Sequence, residues 1–186
     1  MKEITGRYQA TGKGYGFLIP DDGSADYFLP PRAQGSAWHN DLVTGRPGGQ
    51  TPEDGRRTAV VTGILQRNNR SVTGIIGKRG REVWLTPDSD RLPGQIRIVG
   101  KRSGLRAGDR AALTVTSFGG GRNGRPMGVV GEVFGPSGSR ETTAAAILFN
   151  YGISPAFPPE VLAAADRVPK PCPRKRFPGG WTCGRS

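Results

Sequence analysis

Gly12-Lys13-Gly14-Tyr15-Gly16-Phe17-Leu18-Ile19-Pro20 carries the residue types most able to do chemistry, together with Asp26-Tyr27-Phe28-Leu29-Pro30 shortly after it. Both runs read as strands, joined by the acidic turn Asp21-Asp22-Gly23. Alternation along a strand puts Tyr15 and Phe17 on one face, and the glycines beside them leave that face uncluttered. If Tyr27 and Leu29 point into a core, Phe28 points out beside the first pair. Three outward rings with Lys13 next to them make a stacking platform and a phosphate contact. That combination holds single-stranded nucleic acid without base-specific hydrogen bonds. The competing reading, a hairpin whose aromatics only fill a core, asks for more interior than a small barrel has.

These residues also resemble a known pattern, the cold-shock type of OB-fold. Residues 13–19 match its first ribonucleoprotein-like box and residues 27–30 its second. One short glycine-aromatic box would be a modest signal, and the pair at this spacing is a strong one.

Composition narrows the partners. The chain has 186 residues, 30 glycines and 16 prolines, so long helices are not expected before Thr142. Its net charge of +12 calls for a polyanionic partner, although charge alone does not separate RNA from DNA or an anionic membrane. No apolar run is long enough to span a bilayer, and Met1-Lys2-Glu3-Ile4-Thr5 lacks a signal-peptide pattern. The expectation is a cytoplasmic monomer with no membrane partner.

The same unit occurs twice. Pro20-Asp21 recurs as Pro87-Asp88 at an offset of 67, and Asn40-Asp41 as Gly108-Asp109 at 68. Residues 60–65 recur as 129–134 at 69. Three matches in one order imply a duplicated domain. Each copy reads as five strands. The first has strands at residues 4–10, 15–19, 27–30, after Asp41 and at 58–66, and the second at 71–77, 82–86, 95–99, 110–118 and 127–134. Gly45-Arg46-Pro47-Gly48-Gly49 and the glycine-rich run 119–124 read as matching loops before each closing strand. The expected fold is all-β: two tandem five-stranded OB-type, cold-shock-like barrels followed by short α-helices.

At the duplication offset, Trp84 falls where Phe17 stands, Glu82 replaces Tyr15, and Arg97 takes the place of Phe28. The second unit keeps one ring and exchanges the others for charge, which suits a groove that tracks backbone more than bases. The other reading buries Trp84 in the core and leaves Arg97 merely solvated. His39 and Asp41 could make an acid–base pair. The second copy keeps the Asp and lacks the His, so the preferred reading is a turn needing positive φ at Asn40 or Gly108.

After Gly138 the composition changes. Thr142 is placed to cap a helix through residues 144–149 that stops near Gly152, and Phe157-Pro158-Pro159-Glu160 starts a second helix, residues 161–168, with proline in its first turn. Ile147, Leu148, Val161 and Leu162 would need a surface to bury against. Two cold-shock-like barrels followed by these segments resemble the amino-terminal region of the ribonuclease R family, from residue 1 to about 169. The resemblance implies a processive 3′→5′ exoribonuclease of the cytoplasm whose barrels gather single-stranded RNA for a following catalytic domain. That domain's Mg²⁺, held by clustered aspartates, is implied with it. The organisation expected is a first barrel at 1–68, a second at 69–138, a helical linker at 139–169 and a basic tail at 170–186.

No acidic residue follows Asp166, and the tail with Cys172 and Cys183 reads as basic and disordered. Back-translated with permitted codons and read from the third base, residues 171–184 can give an Arg-x-Asp-Leu-Arg element like the family's entry into its catalytic domain. The expectation is a frame error near Lys170 that truncated a longer protein, leaving both cysteines accidental. The chain would then be a single-stranded RNA-binding fragment with no cofactor of its own and no nuclease activity. The binding residues would be Lys13, Tyr15, Phe17, Phe28, Trp84 and Arg97. The alternative is a free-standing cold-shock-type RNA chaperone. A self-sufficient enzyme is disfavoured, since no nucleophile–base constellation shares a loop.

Overall fold

A computed structural model of the chain describes residues 3–51, 55–119, 124–153, 159–167, 174–177 and 180–183. Strict alternation shapes the first barrel. β1 (Ile4–Ala10) buries Ile4, Gly6 and Tyr8 and exposes Thr5, Arg7 and Gln9 between them. β2 (Gly16–Pro20) and β3 (Tyr27–Leu29) continue an antiparallel meander. A short 3₁₀ turn, Pro31–Ala33, leads to β4 (Leu42–Gln50) and β5 (Arg57–Gln66). The strands close in the order β1-β2-β3-β5-β4, with β3 and β5 parallel where Phe28 lies beside Thr58. Tyr8, Leu18, Leu29, Val43 and Ala59 fill the interior.

The second barrel repeats this plan. β6 (Ser71–Arg79), β7 (Glu82–Pro87), β8 (Ile96–Ile98), β9 (Asp109–Ser117) and β10 (Met127–Pro136) close in the equivalent order, again with one parallel pair, β8 with β10. The duplication reaches single atoms. A Cβ on Gly6 would sit 2.1 Å from the Ile19 carbonyl oxygen, and one on Gly74 would sit 2.1 Å from that of Thr86. Both glycines pair with two neighbouring strands at once, so the backbones approach too closely for a side chain.

Some local readings change. β2 begins at Gly16, one residue late, because the Tyr15 carbonyl accepts from the Thr11 amide and hydroxyl at the end of the Lys13 turn. Residues 45–49 are not a loop. They belong to β4, whose irregular register against β5 around Pro47 absorbs the proline. The matching loop of the second copy falls largely on residues 120–123, outside the described residues.

α1 (Arg140–Asn150) is capped by Ser139, not Thr142, with the Ser139 hydroxyl accepting from the Glu141 amide. Thr142 is buried against the second barrel, where its hydroxyl donates to the Pro136 carbonyl at 2.7 Å. Ala146 is buried, Asn150 Nδ2 donates to Thr73 Oγ1, and Phe149 meets Phe134 edge to face. The helix therefore docks through Thr142, Ala146 and Asn150, and Ile147 stays 51% exposed. Gly152, with φ of 66°, follows the end of the helix.

Ile153 onward forms a separate unit. It contains α2 (Pro159–Asp166), on which Val161 and Leu162 are exposed. It also contains an antiparallel hairpin of β11 (Arg174–Phe177) and β12 (Gly180–Cys183). The hairpin corrects the reading of a structureless tail over those residues, because its paired backbone groups meet the hydrogen-bonding demand that disorder would leave to water. Cys172 and the rest of the tail lie outside the described residues. Among the described residues no helix is long and apolar enough to cross a membrane.

Candidate nucleic-acid interface

Leu29 is fully buried and Tyr27 packs partly against the first core, so Phe28 between them faces outward. The ladder sets Phe28 directly opposite Phe17. Tyr15, just before β2, completes a triangle of rings. Its centroids lie 5.9 Å from Phe17 and 5.5 Å from Phe28, and the two phenylalanines are 5.9 Å apart. None of the three belongs to the buried core, and all are partly exposed. The site residues read from the first unit are thus brought together.

Lys13 is exposed in the β1–β2 turn, two residues before Tyr15, rather than on a strand. Gln34 anchors this turn. Its Nε2 donates to the Gly14 carbonyl at 2.8 Å while its Oε1 accepts from the Tyr8 hydroxyl at 2.7 Å. Burial pushes the Tyr8 phenol up to about 12, so it stays a donor to Gln34 at neutral pH. A cation outside this face, over Tyr27, is not signalled by the sequence. Arg57, at the start of β5, lies over the Tyr27 ring at 4.5 Å and donates to the Ala25 carbonyl. It stands next to Thr58, the ladder neighbour of Phe28, a relation visible only once β3 and β5 are paired.

In the second barrel Trp84 pairs with Arg97, as Phe17 pairs with Phe28. Ile96 and Ile98 are fully buried, so Arg97 between them points out and is exposed. Trp84 is half-buried but outside the core cluster. Its indole lies across Gly77, where a Cβ would come within 2.3 Å of the ring. The glycine lets the ring lie along the outside of the sheet.

His39 and Asp41 do not form an acid–base pair. Asn40 has φ of 65° and Gly108 of 90°, the shared turn that the repeat implied. Asp41 is fully buried and accepts from the amides of Trp38 and Asn68 and from Arg67 Nη1 at 2.8 Å. His39 Nδ1 accepts from the Ala10 amide at 3.2 Å, and Nε2 lies 3.3 Å from Arg91 of the second barrel. Burial, then the Arg91 charge, hold its pKa below the ordinary histidine value. Trp38 crosses to the second barrel and sits in that barrel's core cluster. Among the described residues no group of three His, Cys, Asp or Glu side chains is placed to hold a metal ion.

The family model for the ribonuclease B OB domain matches residues 6–64, and a cold shock domain model matches residues 84–158. Ribonuclease R of Acidithiobacillus ferrooxidans is 32% identical over 166 residues, which is 88% of this chain and 37% of that relative. The chain thus spans well under half the length of that relative. Mycoplasma genitalium RNase R, solved in complex with ribose-methylated single-stranded RNA, superposes with a TM-score of 0.71 at 18% identity. The match covers 89% of this chain and 27% of that one. The yeast pseudonuclease Ssd1 superposes at 0.65 with 13% identity, over 81% of this chain and 25% of its own. These two likenesses speak for the fold. With two closed barrels of one topology, an OB model followed by a cold-shock model, and a ribonuclease R relative matched over 88% of the chain, the chain corresponds to the amino-terminal, OB-barrel part of ribonuclease R.

Proposed function

We propose that the two barrels hold single-stranded RNA on the outer faces of β2–β3 and β7–β8. The observation that carries this reading is the triangle of Tyr15, Phe17 and Phe28, three adjacent, partly exposed rings that lie outside the first barrel's core. Rings in that arrangement stack on bases of any identity, while Lys13, Arg97 and the +12 net charge meet the phosphates. The likeness to ribonuclease R favours RNA over DNA, since stacking alone accepts both. In a ribonuclease R-type chain the barrels would pass the strand to a Mg²⁺-dependent 3′→5′ hydrolytic centre. The described residues do not fit that metal, lacking a cluster of carboxylates, so gathering and holding RNA is the role assigned to them. The same reading keeps the chain a monomer in the cytoplasm.

Fluorescence anisotropy with a labelled single-stranded RNA, the matching DNA and a duplex RNA tests this. Binding should favour the single-stranded RNA, weaken steeply with salt, and leave the RNA intact in Mg²⁺. Absence of binding at low salt would end the reading. Shortening of the RNA from its 3′ end by the pure chain would refute the non-hydrolytic role.

A further inference from the structure

The two barrels share a ladder but not the side chains upon it. Phe17 faces Phe28 in the first, and Trp84 faces Arg97 in the second. Two residues before Phe17 on the same face stands Tyr15, and two before Trp84 stands Glu82. Glu82, Val83, Trp84, Gln95, Arg97 and Arg125 line a surface depression of about 40 Å³ on the second barrel, so a base would lie over it rather than inside it. Its floor is the indole laid across Gly77, with one face on the sheet. Among the described residues, the Glu82 carboxylate and the Arg97 and Arg125 guanidinium groups make no ion pair. The depression thus combines a flat ring, one uncommitted acceptor pair and two uncommitted cations.

That set discriminates among bases, which the first barrel's rings cannot do. An ionised carboxylate only accepts hydrogen bonds, through two adjacent oxygens. On its Watson–Crick edge guanine alone presents two adjacent donors, N1–H and N2–H. Adenine and cytosine set a donor beside an acceptor, and uracil has one donor between two acceptors. A carboxylate facing those edges would meet lone pairs on every base except guanine. The cations are suited to the phosphates on either side, which a carboxylate would otherwise repel.

We propose that this depression is a guanine-selective subsite for one nucleotide of a single-stranded RNA. Trp84 stacks on the base, Glu82 accepts from N1–H and N2–H, and Arg97 and Arg125 hold the flanking phosphates. The assignment rests on the reading that the barrels bind single-stranded RNA, and adds a base preference to it.

The test compares two labelled oligouridylates, one with a single central guanosine and one with adenosine there, by anisotropy on the full chain. The guanosine RNA should bind about tenfold tighter, the size of one good bidentate contact. In Glu82→Gln, whose exposed position leaves the fold intact, the ratio should fall to near one with no loss for the adenosine RNA. In Trp84→Ala both RNAs should weaken. Equal affinity of the unmodified chain for the two RNAs overturns the subsite while leaving RNA binding in place. A preference that survives Glu82→Gln overturns the role of Glu82. If neither RNA binds, the underlying reading fails first.

Discussion

The indole N–H of Trp38 donates to the Phe118 carbonyl oxygen at 3.1 Å, and the two rings meet edge to face with centroids 4.8 Å apart. Trp38 belongs to the connection between β3 and β4, yet it is 3% exposed among Val72, Ile76, Leu85 and Leu113 of the second barrel. Arg67 covers Phe118 from just past the end of β5, its guanidinium 4.1 Å from the ring centroid. One barrel therefore supplies part of the other's core. The barrels are joined by buried apolar surface as well as by the chain that links them.

Trp38→Ala should cost about 3–5 kcal/mol of stability, the usual consequence of deleting a large buried aromatic. Trp38→Phe keeps most of the packing and loses the hydrogen bond, for about 1 kcal/mol. Urea unfolding of both variants checks this. Near-equal losses would mean that the ring is not what joins the barrels.

Asp41 is the polar counterpart of that joint. Asp41→Ala leaves the Trp38 and Asn68 amides and Arg67 without their shared acceptor. A loss of about 3–5 kcal/mol is expected from breaking so buried a pair at one end. A double-mutant cycle with Arg67→Ala should return a coupling of about 0.5–3 kcal/mol. Simple additivity would place the Arg67 contact outside the network.

Phe17→Ala and Phe28→Ala should each weaken single-stranded RNA binding by about 1–3 kcal/mol, the value of one lost stack. Thermal unfolding should move little, since both rings lie outside the core. The opposite pattern, unchanged affinity with a large drop in stability, would show that the rings serve folding.

Lys13→Ala and Arg97→Ala should each reduce the slope of log affinity against log salt by about one, as expected for a lost phosphate contact. Titrations at several salt concentrations measure it. A slope unchanged in both variants would remove these cations from the interface.

His39 predicts a response to acid. Burial and Arg91 hold its pKa below the ordinary value of 6.5, so the folded state favours the neutral ring. The stabilisation is complete above 6.5 and is lost as pH falls from there through the lower folded value. Protonation would also fill Nδ1, which accepts from the Ala10 amide. The urea midpoint should decline below that pH more steeply than in His39→Asn, which keeps an acceptor and does not titrate. Parallel declines would assign the acid sensitivity to other groups.

Much of the fold follows from short-range spacing. Alternation in Gln95-Ile96-Arg97-Ile98 is enough to turn Arg97 outward, because side chains change face at every residue of a strand. The need for positive φ at Asn40 and Gly108 is likewise local, a demand of two adjacent peptide units. The ring triangle and the opposition of Trp84 to Arg97 come from the same alternation, with the internal repeat supplying the register. Where several local signals competed, spacing misled. Ser139 and Thr142 are both able to cap a helix, and burial of Thr142 against the barrel selected Ser139. Pro47 and three glycines suggest a loop, but pairing with β5 holds them as strand.

Residues far apart in the chain follow a different logic. Nothing near Trp38 announces that its ring belongs in a core built from residues 72–115, or that Phe118 will accept its N–H. Arg57 over the Tyr27 ring, and Gln95 and Arg125 beside Trp84, are equally silent in one dimension. Strand pattern, turn chemistry and the outward rings are written in intervals of two to four residues, so they survive without coordinates. The join between barrels and the make-up of each binding face depend on surfaces that meet only when the chain closes, and no local period encodes which surfaces those are.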